Sequence, residues 1–540
     1  MKKRTGGSRA GGGGASGSGA GGSRARSGGA SGSGASGGGA AGRGAKKKGG
    51  SSPQGAGKKR TGERPARVHG RVVRGPGPSG RPPRREDAEP AVAETHLQIA
   101  DRDFVLERYP ASSDATLRAW SAAEEHLLTK ILETEDDGSP LLVLGDPHGA
   151  LTTVLAVATT RPLVRWTDSH LATIALERNL EANGVDRGRV ELVPSATDPA
   201  SLDAKFGSVL MVIPKTLSLL EYQLEWMKPC LIPGARLLAG GMTRHLSPKV
   251  GAILEDRLGP TQVSKVWKKS VTFDVQAEDL EQDEDALTPS YYEIDLMEMD
   301  TEVSMEGDDL LVDSADEALA DASDAGDNGG GGNNHEDSLA NEADASLEAD
   351  VDTSAEPDTT SDDLPDAVRI FSFPGVFGGG RLDRGTELLL SCLPDFADET
   401  DVLDLGCGSG VIGLYLRIGN PEIRLRLVDE SHLAVASAKL TFEENGQGSP
   451  DVRVADGCEG IEAESLDVVV SNPPFHAQHA LTVEEATRLF RPVREVLRPG
   501  GELYVVGAHG VDYGPTLRRF FAEVERVATD RRYAVHRCRK

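Results

Sequence analysis

The sequence predicts an α/β protein built from two doubly wound domains in tandem, and three observations carry that reading. From about Thr95 to Phe273, and again from Arg369 to the end, short apolar or β-branched runs alternate with amphipathic segments of helical period. Such alternation is the pattern of a parallel sheet covered by helices on both faces. The two stretches carry matching landmarks in the same order, so one design is written twice. The rest is too poor in large apolar residues to offset the entropy cost of ordering a backbone. The expected organisation is a disordered basic tail over residues 1–92, a first domain over 93–273, an acidic disordered linker over 274–366 and a second domain over 367–540.

The tail is Gly, Ser, Ala, Pro, Arg and Lys, with about 20 basic residues up to Arg85 against one acid, Glu63. The linker holds about 33 acids and no Lys or Arg. The net charge of −27 over 540 residues is therefore an average of opposites, and the folded remainder sits at about −13. Nucleic-acid binding by that remainder needs a local basic patch. The tail either adds phosphate affinity without sequence preference or serves as a spacer. Met1-Lys2-Lys3-Arg4 runs into Gly-rich sequence instead of an apolar stretch, and no run is long enough to span a bilayer, so a soluble cytoplasmic protein away from membranes is expected. The five cysteines, Cys230, Cys392, Cys407, Cys458 and Cys538, are far apart, which speaks against a metal site or a disulfide framework and for reduced thiols.

In the second domain, strands are expected at Val402–Leu405, Arg424–Val428, Val452–Ala455, Leu466–Ser471 and Glu502–Gly507, with Arg532–Arg537 able to close the sheet. A helix from His432 keeps Leu433, Ala436, Leu440 and Phe442 near one face and stops at Asn445-Gly446. Another runs from Leu481 to Leu497 and stops at Pro499-Gly500-Gly501. The first domain repeats these landmarks. Leu142 to Gly149 matches Val402 to Gly410, and Asp168 follows Gly145 at the distance by which Asp429 follows Gly406. Asn183-Gly184 matches Asn445-Gly446, Val209 to Pro214 matches the strand ending at Pro473, and Pro233-Gly234 matches Pro499-Gly500. An internal duplication accounts for these matches; the alternative is punctuation common to any two doubly wound domains.

Candidate chemistry gathers at the ends of the second domain's strands. Asp404-Leu-Gly406-Cys-Gly408-Ser-Gly410 is a Gly-rich turn between strand and helix, where missing side chains let backbone approach a ligand. By itself it does not separate dinucleotide enzymes from plain turns. Asp429 ends the next strand, in place to accept both hydroxyl hydrogens of a ribose. Asp456-Gly457 ends the third, where a carboxylate either meets an adenine ring or simply makes a turn. Ser471-Asn472-Pro473-Pro474-Phe475 ends the fourth. There the Asn472 side-chain oxygen and the Pro473 carbonyl can together accept the two hydrogens of one exocyclic amino group, and Phe475 offers a stacking face. An amino group conjugated into a ring is a poor nucleophile, and two acceptors draw it toward a tetrahedral geometry facing a methyl donor. The expected catalytic residues are Asn472, Pro473 and Phe475; the expected cofactor-binding residues are Asp404, Gly406, Gly408, Gly410, Asp429, Asp456 and Asn472. Pro474, Phe475 and His476 are expected against the substrate. His476 and His479 lack the partners of a general base or a metal ligand. Phe377 and Asp383 either close over the cofactor or pack a loop. The first domain has lost these features: Pro147 stands where Gly408 is, Ile213 where Asn472 is, and Lys215-Thr216 where Pro474-Phe475 are. It is expected to be non-catalytic, with Lys215, Arg244, His245, Lys249, Lys265, Lys268 and Lys269 giving it a basic character suited to substrate binding or simply a charged surface.

With these residues in hand, the chain resembles the ribosomal RNA guanine-N2 methyltransferases of the RlmG and RsmC kind, tandem proteins whose first methyltransferase copy is degenerate. The matching stretches are Pro374-Gly-Val-Phe377 with Leu382-Asp383-x-Gly385, Asp404 to Gly413, and Asn472-Pro-Pro-Phe-His476. Gln478-His-Ala-Leu-Thr482, Pro214-Lys-Thr-Leu217, Leu220-Glu221, Gln223-Leu224 and Ala239-Gly-Gly-Met-Thr243 look more like the RlmG branch, which acts on large-subunit rRNA. The resemblance implies two tandem Rossmann-like class I methyltransferase domains, S-adenosyl-L-methionine as cofactor and ribosomal RNA as partner, without a metal; a monomer is the default. It covers neither tail nor linker, and the long linker departs from the family's closely joined domains. Small-subunit rRNA, adenine in DNA and a protein glutamine are alternative substrates for the same clamp, and an RNA-binding assembly factor without turnover is the alternative outside enzymes.

Overall fold

The computed structural model describes residues 93–112, 114–134, 136, 138–295, 367–473, 483–509 and 513–540. The expected tail, most of the expected linker, and Pro474, Phe475, His476 and His479 lie outside the described residues. The first lobe opens on a hairpin of β1 (His96–Ile99) and β2 (Arg102–Val105), then runs α1 (Ala122–Leu132), β3 (Leu141–Leu144), α2 (Ala150–Ala158), β4 (Leu163–Thr167), α3 (His170–Ala182) and β5 (Val190–Pro194). It continues with β6 (Phe206–Val212), α4 (Leu217–Met227), β7 (Leu231–Met242), α5 (Val250–Arg257), β8 (Thr261–Val263) and β9 (Ser270–Gln276). Strands β10 (Ser290–Asp295) and β11 (Ala367–Ser372) pair antiparallel ahead of the second lobe. That lobe runs α6 (Arg384–Leu390), β12 (Asp401–Leu405), α7 (Val411–Gly419), β13 (Arg424–Asp429), α8 (His432–Glu444) and β14 (Asp451–Val454). It ends with β15 (Leu466–Ser471), α9 (Val483–Val496), β16 (Leu497–Ala508), α10 (Tyr513–Leu517), β17 (Glu523–Thr529) and β18 (Tyr533–Arg539).

Each lobe holds a seven-stranded sheet, in the order β5-β4-β3-β6-β7-β9-β8 and β14-β13-β12-β15-β16-β18-β17. In each sheet six strands run one way and one, β9 or β18, runs against them, so the last two pairings in each order are antiparallel. The identical topology supports the duplication. β3 and β12 lie mid-sheet, buried on both faces; β3 is an unbroken apolar run, while β12 sets two buried aspartates, Asp401 and Asp404, among its apolar residues. The chain crosses to the other half of the sheet beside β12, which opens the crevice where doubly wound folds bind ligands.

Two expectations need correction. The acidic linker does not begin at Asp274, because β9 extends to Gln276 and β10 follows. The acids there have partners: Asp274 pairs with Arg236 at 2.6 Å and Asp283 with Arg257 at 2.6 Å. Tyr292 and Ile294 turn inward from β10 against the second lobe's core. The second correction concerns Asp168. Sheet register places Leu144 opposite Trp166 and Leu405 opposite Val428, so Thr167 is the counterpart of Asp429, and Asp168 is the counterpart of Glu430. Equal spacing from the glycine was misleading because the first copy is one residue shorter between the two strands.

The corrected pairing explains how the lobes join. Ser169 and Ser431, the N-caps of α3 and α8, meet in an antiparallel bridge. Asp168 reaches across: its Oδ1 accepts from the Leu433 backbone N–H at 2.8 Å, and its Oδ2 from the Ser431 hydroxyl at 2.7 Å. Glu430 reaches back, accepting from the Ser169 hydroxyl at 2.5 Å and the Leu171 N–H at 3.5 Å. Each lobe thus caps the other's helix, satisfying backbone donors that a helix start leaves unpaired. Leu433 is buried in the first lobe's core, where Phe373 and Val376 also pack.

Candidate active site

The Gly-rich turn after β12 separates its glycines by task. A Cβ on Gly406, at φ +75°, would meet nothing within 4 Å, and one on Gly408, at φ +52°, would meet only the Phe377 carbonyl at 3.8 Å. Both therefore border open space. A Cβ on Gly410 would sit 3.0 Å from the Ala438 Cβ, so this glycine lets α7 and α8 pack closely. Asp404, fully buried, accepts from the Gly413 N–H at 2.9 Å through Oδ2, while its Oδ1 has no partner. Burial pushes the Asp404 carboxyl up to about 7. Asp429 at the end of β13 accepts from the Gly408 N–H at 2.9 Å and the Ser431 N–H at 2.9 Å. Desolvation raises its carboxyl above the ordinary range against the pull of those two donors. An open glycine cradle, an unpartnered buried acceptor beneath it and a carboxylate one strand over fit a nucleoside cofactor with a charged tail.

Asp456 stands beyond β14 as expected, but both its oxygens are engaged: the Tyr109 hydroxyl donates to one and the Arg488 guanidinium to the other. Arg178 and Arg488 lie over the Tyr109 ring, 4.1 and 5.8 Å from its centre. Tyr109 belongs to the first lobe, so that lobe reaches the edge of the cofactor crevice. Nothing in its sequence context signals this. A second contribution the sequence hid is Tyr292 of β10, which packs on the second lobe's core with its hydroxyl beside Ser409 of the Gly-rich turn.

Asn472 follows β15, partly exposed, with Pro473 buried behind it. Its Nδ2 donates to the Thr386 hydroxyl at 2.8 Å and to the Asp383 Oδ2 at 3.2 Å. Asp383 is the N-cap of α6 and also accepts from the Gly385 N–H at 2.9 Å. A carboxylate only accepts, so the amide face toward Asp383 must be the NH2. Both amide hydrogens are thus committed to α6, and Oδ1 is turned to the opposite side. This sets a role for Asp383, whose function the sequence left open. Pro474, Phe475 and His476, the expected substrate contacts, are outside the described residues. A separate cavity of about 650 Å³ lies at the amino edge of this sheet, away from the motifs, and its Arg498 and Asp467 pair with each other at 2.6 Å.

The first lobe's version of the crevice is filled. A Cβ on Gly145 would strike the Val212 carbonyl at 2.3 Å. Asp146 turns its carboxylate onto the N-terminus of α2, accepting from Leu151 and Thr152 N–H groups at 3.2 and 2.9 Å. Burial holds His148 down at about 4, and Arg165, fully buried, fills the space behind by donating to the Asp146 and Ala172 carbonyls. Own side chains occupy the place of a ligand.

Comparison with known proteins agrees with this arrangement. Residues 94–279 match the family described as RLMG N-terminal domain, and residues 367–537 match the family described as Methyltransferase small domain. The chain is 34% identical over 435 residues to the Ribosomal RNA large subunit methyltransferase G of Streptomyces coelicolor, covering 80% of this chain and 96% of that one. It is 34% identical over 445 residues to the protein of the same name from Pseudomonas syringae pv. tomato, covering 82% and 98%. Among solved structures, the T. thermophilus 16S rRNA N2 methyltransferase RsmC, in complex with AdoMet and guanosine, shares the fold at a TM-score of 0.56 and 18% identity, over 83% of this chain and 97% of that one. Two lobes of one topology, one crevice open and one filled, and relatives matched over nearly their whole length place this chain in the ribosomal RNA large subunit methyltransferase G family.

Proposed function

We propose that the second lobe transfers the methyl group of S-adenosyl-L-methionine to the exocyclic N2 amino group of a guanine in large-subunit (23S) rRNA. The observation that carries the chemistry is the committed amide of Asn472, held by Thr386 and Asp383 so that Oδ1 faces away from α6. The rRNA substrate comes from the family, whose members carry it in their name. Asp404, Gly406, Gly408 and Asp429 would hold the cofactor, which when bound supplies a methyl group already activated on a sulfonium.

The chain's own residues then have a positioning task. Asn472 Oδ1 and the Pro473 carbonyl accept the two amino hydrogens of the guanine. The nitrogen lone pair is thereby drawn out of conjugation and aimed along the line of displacement. As methyl passed from sulfur to nitrogen the nitrogen would gain positive charge, which two oxygen dipoles fixed beside it would stabilise without reorganising, and one of its two held protons would then leave to solvent. The fixed amide matters because an Asn free to flip would present donors to a donor.

The test is transfer of tritiated methyl from the cofactor to separated rRNA, DNA and protein fractions, followed by nucleoside analysis. Label in large-subunit rRNA as N2-methylguanine is expected. Label confined to protein, to DNA or to adenine contradicts the reading.

A further inference from the structure

We infer that Tyr109, a residue of the first lobe, is a positioning residue for the cofactor's base: by pinning the Asp456 carboxylate it makes the second lobe select a 6-amino over a 6-keto purine. The inference rests on the S-adenosyl cofactor of the reaction proposed above and not on the guanine. Comparison of the two copies supplies the first argument. Asn183, the C-cap of α3, bonds the backbone N–H and carbonyl of Val105 at 3.1 and 2.7 Å, and Asn179 one turn earlier does the same for Glu107 at 2.8 and 3.0 Å. In the second copy Asn445, the C-cap of α8, holds Arg369 at 3.0 and 2.6 Å, and Thr441 holds Phe371 at 3.0 and 3.3 Å. Two residues further along each chain segment, Tyr109-Pro110 is therefore the counterpart of Phe373-Pro374.

Each of these aromatic residues crosses to the other lobe and reaches the same place in it, the end of β5 or of β14, which sheet register makes equivalent. Phe373 packs on the first lobe's core with its ring 6.2 Å from that of Tyr222 of α4, whose hydroxyl donates to the Ser195 carbonyl just after β5 at 3.3 Å. Tyr109 meets Asp456, just after β14. The positions match and the chemistry does not: the filled crevice receives a bare ring, the open one a hydroxyl on a carboxylate. A ring suffices for the crossing, as Phe373 shows, so the hydroxyl at position 109 answers to Asp456. The second argument is how firmly that carboxylate is held. Tyr109 and Arg488 of α9 engage different oxygens of Asp456. His170 of α3 lies 3.2 Å from the Glu459 carboxylate, and the same oxygen accepts from the Asp456 N–H at 3.4 Å, so the first lobe grips this turn at both ends. Burial, then the neighbouring Asp456, raises the Tyr109 phenol above its ordinary range, which keeps it a donor. A carboxylate has about four acceptor positions, so each engaged oxygen keeps one for an incoming amino group, in a plane fixed from two sides. It has no hydrogen for a keto oxygen, and a pinned carboxylate cannot turn away from that mismatch as a free one can.

The experiment is calorimetry on the full chain, wild type and Tyr109→Phe, with two ligands: S-adenosylhomocysteine and its hypoxanthine counterpart, S-inosylhomocysteine. Phe keeps the ring that lies under Arg178 and Arg488 and removes only the hydroxyl. Wild type should prefer the adenine ligand by about tenfold or more. The variant should lose about three- to tenfold in affinity for that ligand and little for the other, so the preference narrows by the same factor. A tyrosine that merely stapled the lobes together would weaken both ligands alike. A preference unchanged by the substitution, whether both affinities fall together or neither does, would overturn the inference, as would wild-type protein that binds the two ligands equally. Wild-type protein that binds neither ligand would instead fail the S-adenosylmethionine reading itself, and the inference with it.

Discussion

At Asn472 a single amide plane has to serve two sides, and its neighbours on α6 decide which atom faces which way. Thr386 and Asp383 take both hydrogens, so in the proposed reaction a buried hydroxyl 2.8 Å from Nδ2 orients the amide without touching the substrate. Thr386→Val, close in shape, should lower kcat about tenfold, a change of roughly 1.4 kcal/mol in the barrier. It should leave cofactor affinity unchanged, and Thr386→Ser should recover the rate; a Val variant as fast as wild type would remove Thr386 from the mechanism. The motif residues themselves were legible because their chemistry is local: a glycine that borders open space and an Asn before two prolines announce themselves. Asp383 was visible only as part of a motif, since its partner lies 89 positions away. Tyr109 was invisible, because its contact with Asp456 crosses between lobes and leaves no pattern in either segment.

Among elements, the strands and helices nearest the crevice were read well, Leu466–Ser471 and the start of the helix at His432 included, because double burial and N-caps leave strong local marks. The misses were edge elements. β17 is largely exposed and mixes Glu523, Glu525 and Arg526 among its apolar residues, so no alternation marks it, and β10 was hidden by the acids around Tyr291-Tyr292. The reciprocal caps between α3 and α8 carry the element-scale prediction. Asp168→Ala removes the acceptor for the Leu433 N–H and the Ser431 hydroxyl and should lower stability by about 1–2 kcal/mol, the usual worth of a helix cap. Denaturant midpoints of wild type and variant would measure it. A midpoint equal to wild type would mean that the Ser431 cap and the packing of Leu433 hold α8 without Asp168.

For the whole molecule, the duplication was legible as repeated landmarks, but their exact correspondence was not, since only sheet register aligns Asp168 with Glu430. The filled lobe touches the open one at two of the three candidate cofactor carboxylates: Asp168 grips the turn that carries Asp429, and Tyr109 holds Asp456. Cofactor affinity should therefore depend on the first lobe, and Tyr109→Phe should weaken cofactor binding about three- to tenfold by calorimetry, the scale of one ordinary intramolecular hydrogen bond. Binding as tight as wild type would leave the lobes coupled in stability alone. The central claim, that Asn472 holds a guanine amino group for methyl transfer, is tested most directly by Asn472→Ala with tritiated cofactor and large-subunit rRNA. The rate of N2-methylguanine formation should fall about 100- to 1000-fold, the cost typical of removing one preorganised group from such a site, far more than any loss of cofactor affinity. An undiminished rate would contradict it.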